Sequence, residues 1–436
     1  FSVNGRVDGS SRFGGNNKYG FFPSGSVAWR ISEEGFMEPV KAVINNLKLR
    51  TSYGFTGNTE IGVYESLATL GSNSWTIGNQ LVSGFYPNRI PNPDLKWEKT
   101  GQFDIGFDLG LFNNRLRLTA DYYYKKTTDL LYNVAIPSAS GYDSMLKNIG
   151  SVQNKGYELS IESDNLSGAF SWTTAFNISF NRNKVLELGG ETYKDVGTYD
   201  DHLKTSDIRR LIVGQPIGVF YGYRFDGIFQ NEAECAQQTS SPSPIGVGLR
   251  RYKDLNGDGK IDATNDREIL GDANPKFFGG MTNTFAYKGF ELNVFLQYSY
   301  GNKIFNYNAM ELESPTGGQN VYQDLVNRWT PTNPSNEYQK ATTNRNNIVS
   351  DRFIEDGSFL KLKTVSLSYS FPKLNWKHIG GLRLYVTGQN LLTWTKYRGY
   401  DPEVSYRGAS TLEAGEDFGG YPQARTFMFG IKLDIK

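Results

Sequence analysis

Apolar and polar residues alternate along much of this chain. Between Gln102 and Leu111 every second residue is apolar, and the residues between them are Gln, Asp or Gly. The final stretch, residues 426–436, follows nearly the same pattern. Because successive side chains of a β-strand point to opposite faces, this period of two predicts strands with one apolar and one polar face.

Segments with this alternation recur throughout the sequence, and they predict about fourteen strands. These segments lie near residues 1–8, 21–32, 47–57, 98–111, 115–128, 150–163, 168–182, 204–213, 217–229, 273–287, 290–301, 357–371, 381–395 and 422–436. Two other segments, 36–47 and 321–329, have apolar residues at helical spacing and predict short helices.

The connections between these strands are alternately short and long. The short ones are residues 113–114, 163–167, 214–216, 288–289 and 372–380, and the long ones lie near 58–97, 129–149, 183–203, 230–272, 302–356 and 396–421. Strands of a dozen residues can cross a bilayer when tilted, whereas strands of soluble proteins are typically about 5–6 residues long. The pattern favours an all-β fold, a transmembrane antiparallel β-barrel with long extracellular loops and short periplasmic turns. A soluble β-protein is the alternative.

Composition excludes several classes of protein. Hydrophobic residues make up 38% of the chain and mean hydropathy is −0.49, so no transmembrane helix is predicted. The net charge of +1 gives no electrostatic reason to expect a nucleic-acid partner. Cys235 is the single cysteine and cannot form an intrachain disulfide. Aromatic residues, at 14%, are abundant, as they are at membrane interfaces and binding surfaces.

Several sequence runs resemble the SusC/RagA-like TonB-dependent transporters of Bacteroidota outer membranes, and the likeness extends over nearly the whole chain. These runs are Val7–Phe13, Phe22–Ser32, Leu47–Asn58, Asn92–Glu98, Asn148–Ser160, Asp254–Asp262, Asp351–Val365 and Thr387–Leu391. The resemblance implies a barrel of 22 strands with an N-terminal plug, located in the cell outer membrane. Residues 1–436 would then be the C-terminal part of the barrel, with about fourteen of its strands.

The resemblance also implies a function and partners. The expected function is TonB-dependent import of bulky nutrients, either oligosaccharides or oligopeptides. The expected partners are a SusD-like surface lipoprotein and TonB, which would act through a region before Phe1. Because an open sheet edge in lipid leaves unpaired backbone groups, each costing several kcal/mol, we also expect an N-terminal plug and barrel segment to complete the wall. The remaining partner is outer-membrane lipid.

A calcium-binding motif is predicted within the long segment 230–272. Hard oxygen donors at positions 1, 3 and 5, a glycine at position 6 and a carboxylate at position 9 match an EF-hand-type loop. Position 12 is Asn265 instead of a carboxylate, and the next residue can substitute for it. The predicted Ca²⁺ ligands are Asp254, Asn256, Asp258, Lys260 through its carbonyl, Asp262 and Asp266. The alternative is an Asp- and Gly-rich turn without an ion.

Catalysis is not expected from this sequence. His202 and His378 are the only histidines, and no metal-ligand cluster, nucleophile elbow or phosphate-binding glycine loop is recognisable. Aromatic residues of the long segments are equally consistent with ligand contact and with packing, so none is singled out. Two alternative functions remain open: a non-transporting barrel subunit of a larger outer-membrane complex, and a soluble, calcium-stabilised carbohydrate-binding β-protein.

Overall fold

The computed structural model describes residues 1–59, 61–135, 142, 144–197, 205, 208–314, 320–343, 347–371, 379–403, 405–408 and 410–435. The chain divides into two compact units. The first contains Phe1–Leu159 and Asn181–Tyr193, and the second contains Ser160–Phe180 and Lys194–Lys436. Strands and helices are numbered in chain order.

The first unit consists of strands, two 3₁₀ turns and connecting segments. Its strands are β1 (Ser2–Gly9), β2 (Tyr19–Arg30), β3 (Ile44–Asn58), β4 (Thr69–Ile77), β5 (Gln80–Arg89), β6 (Glu98–Leu111), β7 (Leu116–Thr128), β8 (Leu131–Ala135), β9 (Ser144–Asn148) and β10 (Ser151–Leu166). The long strands follow the order β1-β2-β3-β6-β7-β10, while β4–β5 and β8–β9 are separate hairpins.

The second unit contains both long strands and many short elements. Its strands are β11 (Phe170–Glu187), β12 (Tyr193–Val196), β13 (Arg209–Ile212), β14 (Val219–Tyr223), β15 (Phe225–Ile228), β16 (Arg250–Tyr252), β17 (Arg267–Asp272), β18 (Phe277–Tyr287), β19 (Phe290–Tyr300), β20 (Lys303–Asn306), β21 (Ile354–Asp356), β22 (Phe359–Ser370), β23 (Ile379–Thr395), β24 (Glu416–Asp417) and β25 (Thr426–Ile435). Its α-helices are α1 (Glu232–Cys235) and α2 (Tyr307–Leu312). The long strands follow the order β11-β18-β19-β22-β23-β25. Strands β10 and β11 contribute residues to both units.

The register of the first unit separates apolar from polar side chains. Leu49 of β3 lies opposite Phe107 of β6, and Phe107 lies opposite Ala120 of β7. The adjacent row, on the other face, contains Arg50 of β3 and Asp121 of β7. The alternation in the sequence therefore becomes two continuous faces of opposite character, as predicted.

The second unit repeats this separation. Leu367 of β22 lies opposite Leu292 of β19 and Val386 of β23, and Val386 in turn lies opposite Phe429 of β25. In this row Leu367 is 42% exposed and Phe429 is 82% exposed. An exposed apolar face of this extent calls for an apolar surrounding medium.

Short hairpin turns join the long strands at one end. Tyr287 of β18 is paired with Phe290 of β19, which leaves a two-residue connection. Lys288 and Gly289 both have positive φ, 45° and 88°. This geometry matches the right-handed twist of the flanking strands, and it confirms the predicted turn at residues 288–289.

Twelve of the fourteen predicted strands belong to the largest sheet of the described chain, and the other two segments form only short strands outside it. Residues 204–213 and 217–229 contribute only the short strands β13, β14 and β15 to small separate sheets. The cause is burial on both faces, since Arg209, Arg210 and Leu211 are consecutive and all buried. The turn at 214–216 is thus part of one long connection between β11 and β18.

The helical predictions are only partly met. The predicted segment 36–47 overlaps the 3₁₀ helix Gly35–Val40, but β3 already begins at Ile44. Residues 321–329 contain the 3₁₀ helix Gln323–Asn327. No helix in the described ranges is long and apolar enough to cross a membrane.

Candidate functional site

Charged side chains cross-link the polar face of the first unit. Arg50 on β3 contacts Asp121 on β7 at 2.7 Å and Asp108 on β6 at 3.5 Å. Ser52 donates a hydrogen bond of 3.3 Å to Asp104 one row further along. Opposite charges directly across strands stabilise a sheet, and half-buried charges of this kind require water or polar partners. This face is therefore suited to contact with water.

The same polar face of the first unit contains a groove of about 630 Å³. Asn4, Arg6 and Ser24 line it together with Trp97. The Trp97 ring packs against Phe22, with ring centroids 5.4 Å apart. Trp97, immediately before β6, is thus a groove residue of the polar face. The volume lies in the range of small-ligand sites, about 300–1,000 Å³.

Glycines make room for the aromatic rings of this groove. A Cβ added at Gly57 would lie 2.2 Å from the Phe22 ring and 2.8 Å from that of Trp97. A Cβ at Gly20 would lie 2.5 Å from Phe22. The rings therefore lie close against the backbone of β2 and β3.

In the second unit, the connection after β23 is tied to the polar face of β22. Lys361 donates hydrogen bonds to Asp401 at 2.6 Å and to Glu403 at 2.5 Å, and Lys363 donates to Glu403 at 2.8 Å. Gln297 on β19 donates to the other oxygen of Glu403 at 3.0 Å. A cationic patch on the sheet thus holds an acidic segment of the connection.

The pKa values of the two carboxyls reflect this attachment. Burial acts to raise the pKa of Asp401, but the hydrogen bond from Lys361 and backbone donors outweigh it and hold the pKa below its ordinary value. Glu403 behaves in the same way, with Lys361 and Lys363 lowering its pKa against the effect of burial. Both groups are therefore ionised at neutral pH.

The short elements of the second unit pack around a common hydrophobic cluster, which we call the loop core. It consists of Ile208, Phe220, Phe305, Tyr307, Ala309, Met310, Val349 and Phe353. A buried ion pair adjoins it, with Arg209 Nε 3.0 Å from Glu416 and both side chains at most 1% exposed. These long connections are therefore packed structures with a defined core, which the alternation in the sequence did not reveal.

The loop core assigns some of the aromatic residues of the long segments to packing. Tyr307 is 2% exposed and contacts Phe305, and Tyr397 is buried and donates a hydrogen bond to Asp417. Burial and the nearby carboxylate raise the pKa of Tyr397, so it stays protonated. Other aromatic residues of the long segments remain exposed.

The predicted calcium loop is folded tightly on itself. Asp254 accepts hydrogen bonds from the amides of Gly257 at 2.6 Å and Gly259 at 2.7 Å. Gly257 and Gly259 have φ of 76° and 77°, a conformation that favours glycine. The Asp258 carboxylate accepts from the amide of Lys260 at 2.8 Å. The side-chain oxygen of Asn256 accepts from the backbone amide of Asp258 at 3.2 Å.

The end of the loop is closed by its last two acidic residues. Asp262 accepts from the amides of Thr264 and Asn265, which lower its pKa. Asp266 is fully buried and accepts from the amides of Leu255 and Asp262, both at 2.8 Å. Across the described residues, no group of three or more His, Cys, Asp or Glu side chains is arranged to hold a metal ion. Calcium binding therefore stays a prediction.

The sequence contains two histidines and one cysteine as further chemically reactive residues. His202 and His378 lie outside the described residues. Cys235 is buried. This burial, together with the smaller effect of the nearby Glu232, raises the pKa of its thiol. A buried thiol with a raised pKa is a poor nucleophile.

Comparisons with known proteins agree on one family. A family model described as TonB dependent receptor-like, beta-barrel matches residues 1–227. TonB-dependent receptor P3 of Formosa agariphila is 42% identical over 99% of this chain and 44% of its own length. TonB-dependent receptor SusC of Bacteroides thetaiotaomicron is 31% identical over 100% of this chain and 42% of its own length.

A solved structure described as the RagAB peptide transporter has the same fold. It is 28% identical, with a TM-score of 0.82, and the match covers 99% of this chain and 45% of that one. The chain therefore spans less than half the length of the relatives that it matches.

Proposed function

The chain belongs to the TonB-dependent receptor β-barrel family, and from this membership we propose that it is part of the wall of an outer-membrane importer for bulky nutrients, oligosaccharides or oligopeptides. Receptors of this family lie in the outer membrane and cross it with strands, which confirms the predicted location. The alternative of a soluble carbohydrate-binding protein is accordingly wrong.

The observation that carries the proposal is the separation of the two faces. The apolar face, with exposed residues such as Phe107 and Phe429, suits contact with lipid. The polar face, with the Arg50–Asp121 pair, suits the water-filled interior through which a hydrophilic nutrient passes. In the second unit, the Lys361–Asp401 contact holds a long connection against the polar face of that unit.

The proposed partners follow from the relatives. A SusD-like lipoprotein would cover the long connections on the outer side, and TonB would supply the force for import. The similarity to SusC and to the RagAB transporter supports both partners. We propose further that a plug and additional strands complete the barrel, since an open edge in lipid would leave backbone groups unpaired.

We also propose that residues 254–266 bind Ca²⁺ and thereby stiffen the segment between β11 and β18. Six potential ligands in EF-hand order support this proposal. Asp266, one place beyond the usual twelfth position, is buried against the loop, which is compatible with a closing ligand. We propose no catalytic activity, because the relatives bear the names of receptors.

A second candidate function is a barrel subunit that transports nothing. The chain covers less than half the length of its relatives, so the match by itself does not assign coupling to TonB. Active import and passive scaffolding differ in their need for energy, and this difference is the basis of the test.

The test is growth of a strain that lacks the gene encoding the full-length protein. The strain is grown on single oligosaccharides and on peptide mixtures as the only carbon source, with the wild-type gene restored as the control. We expect loss of growth on at least one nutrient and recovery with the restored gene. Unchanged growth on every nutrient, together with the protein's presence in the outer membrane, would favour the scaffold.

A further inference from the structure

The hairpin of β4 and β5 stands apart from the long strands of the first unit. Its turn, Gly78-Asn79, has positive φ at both residues, 60° and 67°, which is the geometry of a tight two-residue hairpin. Trp75 lies opposite Val82, and Gly71 lies opposite Tyr86. These four residues share one face of the hairpin.

Two aromatic rings lie on this face, each over a glycine. A Cβ added at Gly84 would lie 1.7 Å from the Trp75 ring, and one added at Gly71 would lie 2.6 Å from the Tyr86 ring. Each ring therefore rests on the bare backbone of the neighbouring strand. Trp75 remains 48% exposed and Tyr86 41% exposed, so the outer surfaces of both rings are open.

The hairpin carries one charged residue, Arg89 at the end of β5, and this arginine forms an ion pair of 3.2 Å with Glu65. Residues 69–88 contain no Asp, Glu, Lys or Arg, although these residues form 21% of the whole chain. Beside the two rings on the same face are Asn73 and Gln80, whose amides both donate and accept hydrogen bonds. The surface around the rings therefore offers aromatic groups and neutral hydrogen-bonding groups, and the one arginine of the hairpin is already paired with a carboxylate.

We propose that this face of the hairpin binds a neutral oligosaccharide, with Trp75 and Tyr86 as stacking surfaces. The C–H bonds of one side of a sugar ring are slightly positive and pack on the negative face of an aromatic ring. Amide side chains beside the rings match the hydroxyl groups at the sugar's edge. This inference rests on the proposed import function and names its substrate class.

The ion pair of Arg89 argues against ionic ligands. A peptide with free termini or a phosphorylated lipid headgroup calls for Arg or Lys, which are the usual partners of carboxylate and phosphate, and Arg89 already pairs with Glu65. An isolated two-stranded hairpin is marginally stable by itself, and aromatic rings over glycines also stabilise such a pair. Stabilisation of the hairpin is therefore a role of the rings that the experiment must separate from glycan binding.

The test is isothermal titration of the purified full-length protein in detergent. The probes are maltohexaose, cellohexaose, xylohexaose and laminarihexaose, together with an uncharged hexapeptide. We expect at least one hexasaccharide to bind, and Trp75→Ala and Tyr86→Ala to weaken its binding by roughly tenfold each. Gly84→Ala retains the indole of Trp75 but displaces it from its position over residue 84, so this variant should weaken binding as well.

Phe85→Ala is the matched control, because Phe85 is 73% exposed on the opposite face of the same hairpin, across from Ser72. It should bind as the wild type does, and every variant should keep the wild-type melting temperature. Equal binding by the Trp75 and Phe85 variants, binding of the hexapeptide alone, or no binding of any hexasaccharide would overturn the proposal. If the variants lose binding while the gene deletion leaves growth unchanged, the site stands and the import function fails.

Discussion

Lys361 and Asp401, forty positions apart in the sequence, form a hydrogen-bonded ion pair of 2.6 Å in which the lysine is 1% exposed. Lys361 lies on β22, between the apolar residues Leu360 and Leu362. Its side chain therefore points to the polar face, and its partner lies on the connection that follows β23. The pair fixes that connection to the inner side of the sheet.

Removing the lysine should loosen the connection. Lys361→Met leaves Asp401 as a buried carboxylate without its charge partner, a change that typically costs about 3–5 kcal/mol. We expect a matching decrease in the free energy of local opening at residues 396–403, measured by native-state hydrogen exchange.

The control for this experiment is Lys363→Met. Lys363 pairs with Glu403 and its side chain is 27% exposed, so its loss should cost less than about 1 kcal/mol. The double variant Lys361→Met/Asp401→Leu should recover much of the protection, since it removes both charges. Equal exchange in the wild type and in Lys361→Met would show that the pair does not hold the connection.

Acidification should release the same connection. Asp401 and Glu403 have ordinary pKa values of 3.8 and 4.5, and both are lowered in the folded protein. A carboxyl with a lowered pKa contributes stability that is present above its unfolded pKa and is lost as the pH falls through the folded value. Protection of residues 396–403, corrected for intrinsic exchange, should be constant above pH 4.5 and decline below pH 3.8. In Lys361→Met this decline should be smaller, and a wild-type decline already at pH 6 would contradict the assignment.

Neighbouring residues of β6 should contact different media. Phe107 belongs to the apolar face and Asp108, which contacts Arg50, to the polar face. In a Cys235→Ser background, a fluorescent label on Phe107→Cys should be quenched by brominated lipids and a label on Asp108→Cys by aqueous iodide. The full-length protein in vesicles is used for both variants. Similar quenching of the two labels by the same agent would refute the two-faced wall.

Calcium should bind to the loop at residues 254–266. Sites of this type in extracellular modules bind at about 10⁻⁴–10⁻³ M, and the loss of one carboxylate in Asp254→Asn should weaken binding roughly tenfold. Isothermal titration after chelation measures both values. Asp226→Asn is the control, because Asp226 forms an ion pair with Arg251 outside the loop. The absence of binding up to about 10 mM calcium would reject the site.

The long strands were predictable from the sequence because their two faces contact different media. Between Gln102 and Leu111 the alternation is nearly perfect, and β6 occupies almost the same residues. The turn at Lys288-Gly289 was equally clear, since it separates two alternating segments by two residues. Period and turn chemistry are local signals, and local signals suffice for hairpins.

The packed connections were not predictable in the same way. Residues around Arg209 and Phe220 have strand-like composition, yet they are buried on both faces within the loop core. The sequence period does not reveal whether a short strand belongs to the wall or to a packed connection. The consecutive apolar residues Leu211–Val213 and Val219-Phe220 were signs of this burial. No local pattern in the sequence predicts that Lys361 and Asp401 form a pair.

The contact between the Trp75 ring and Gly84 could not be predicted from the sequence either. Both residues are visible in it, but only the register of β4 and β5 brings them together. The same register separates Trp75 from Phe85, which is equally aromatic and more exposed. The face of the hairpin, more than exposure or residue type, singles out the candidate ligand contacts.

The measurement that tests the central claim most directly is uptake of a radiolabelled nutrient by cells. The nutrient is one on which growth depends on the gene, and uptake is compared in wild-type cells, in cells without the gene and in cells without TonB. We predict rapid uptake in the wild type and near-complete loss in both deletion strains. Undiminished uptake without TonB, or without this protein, would contradict its role as part of an energised importer.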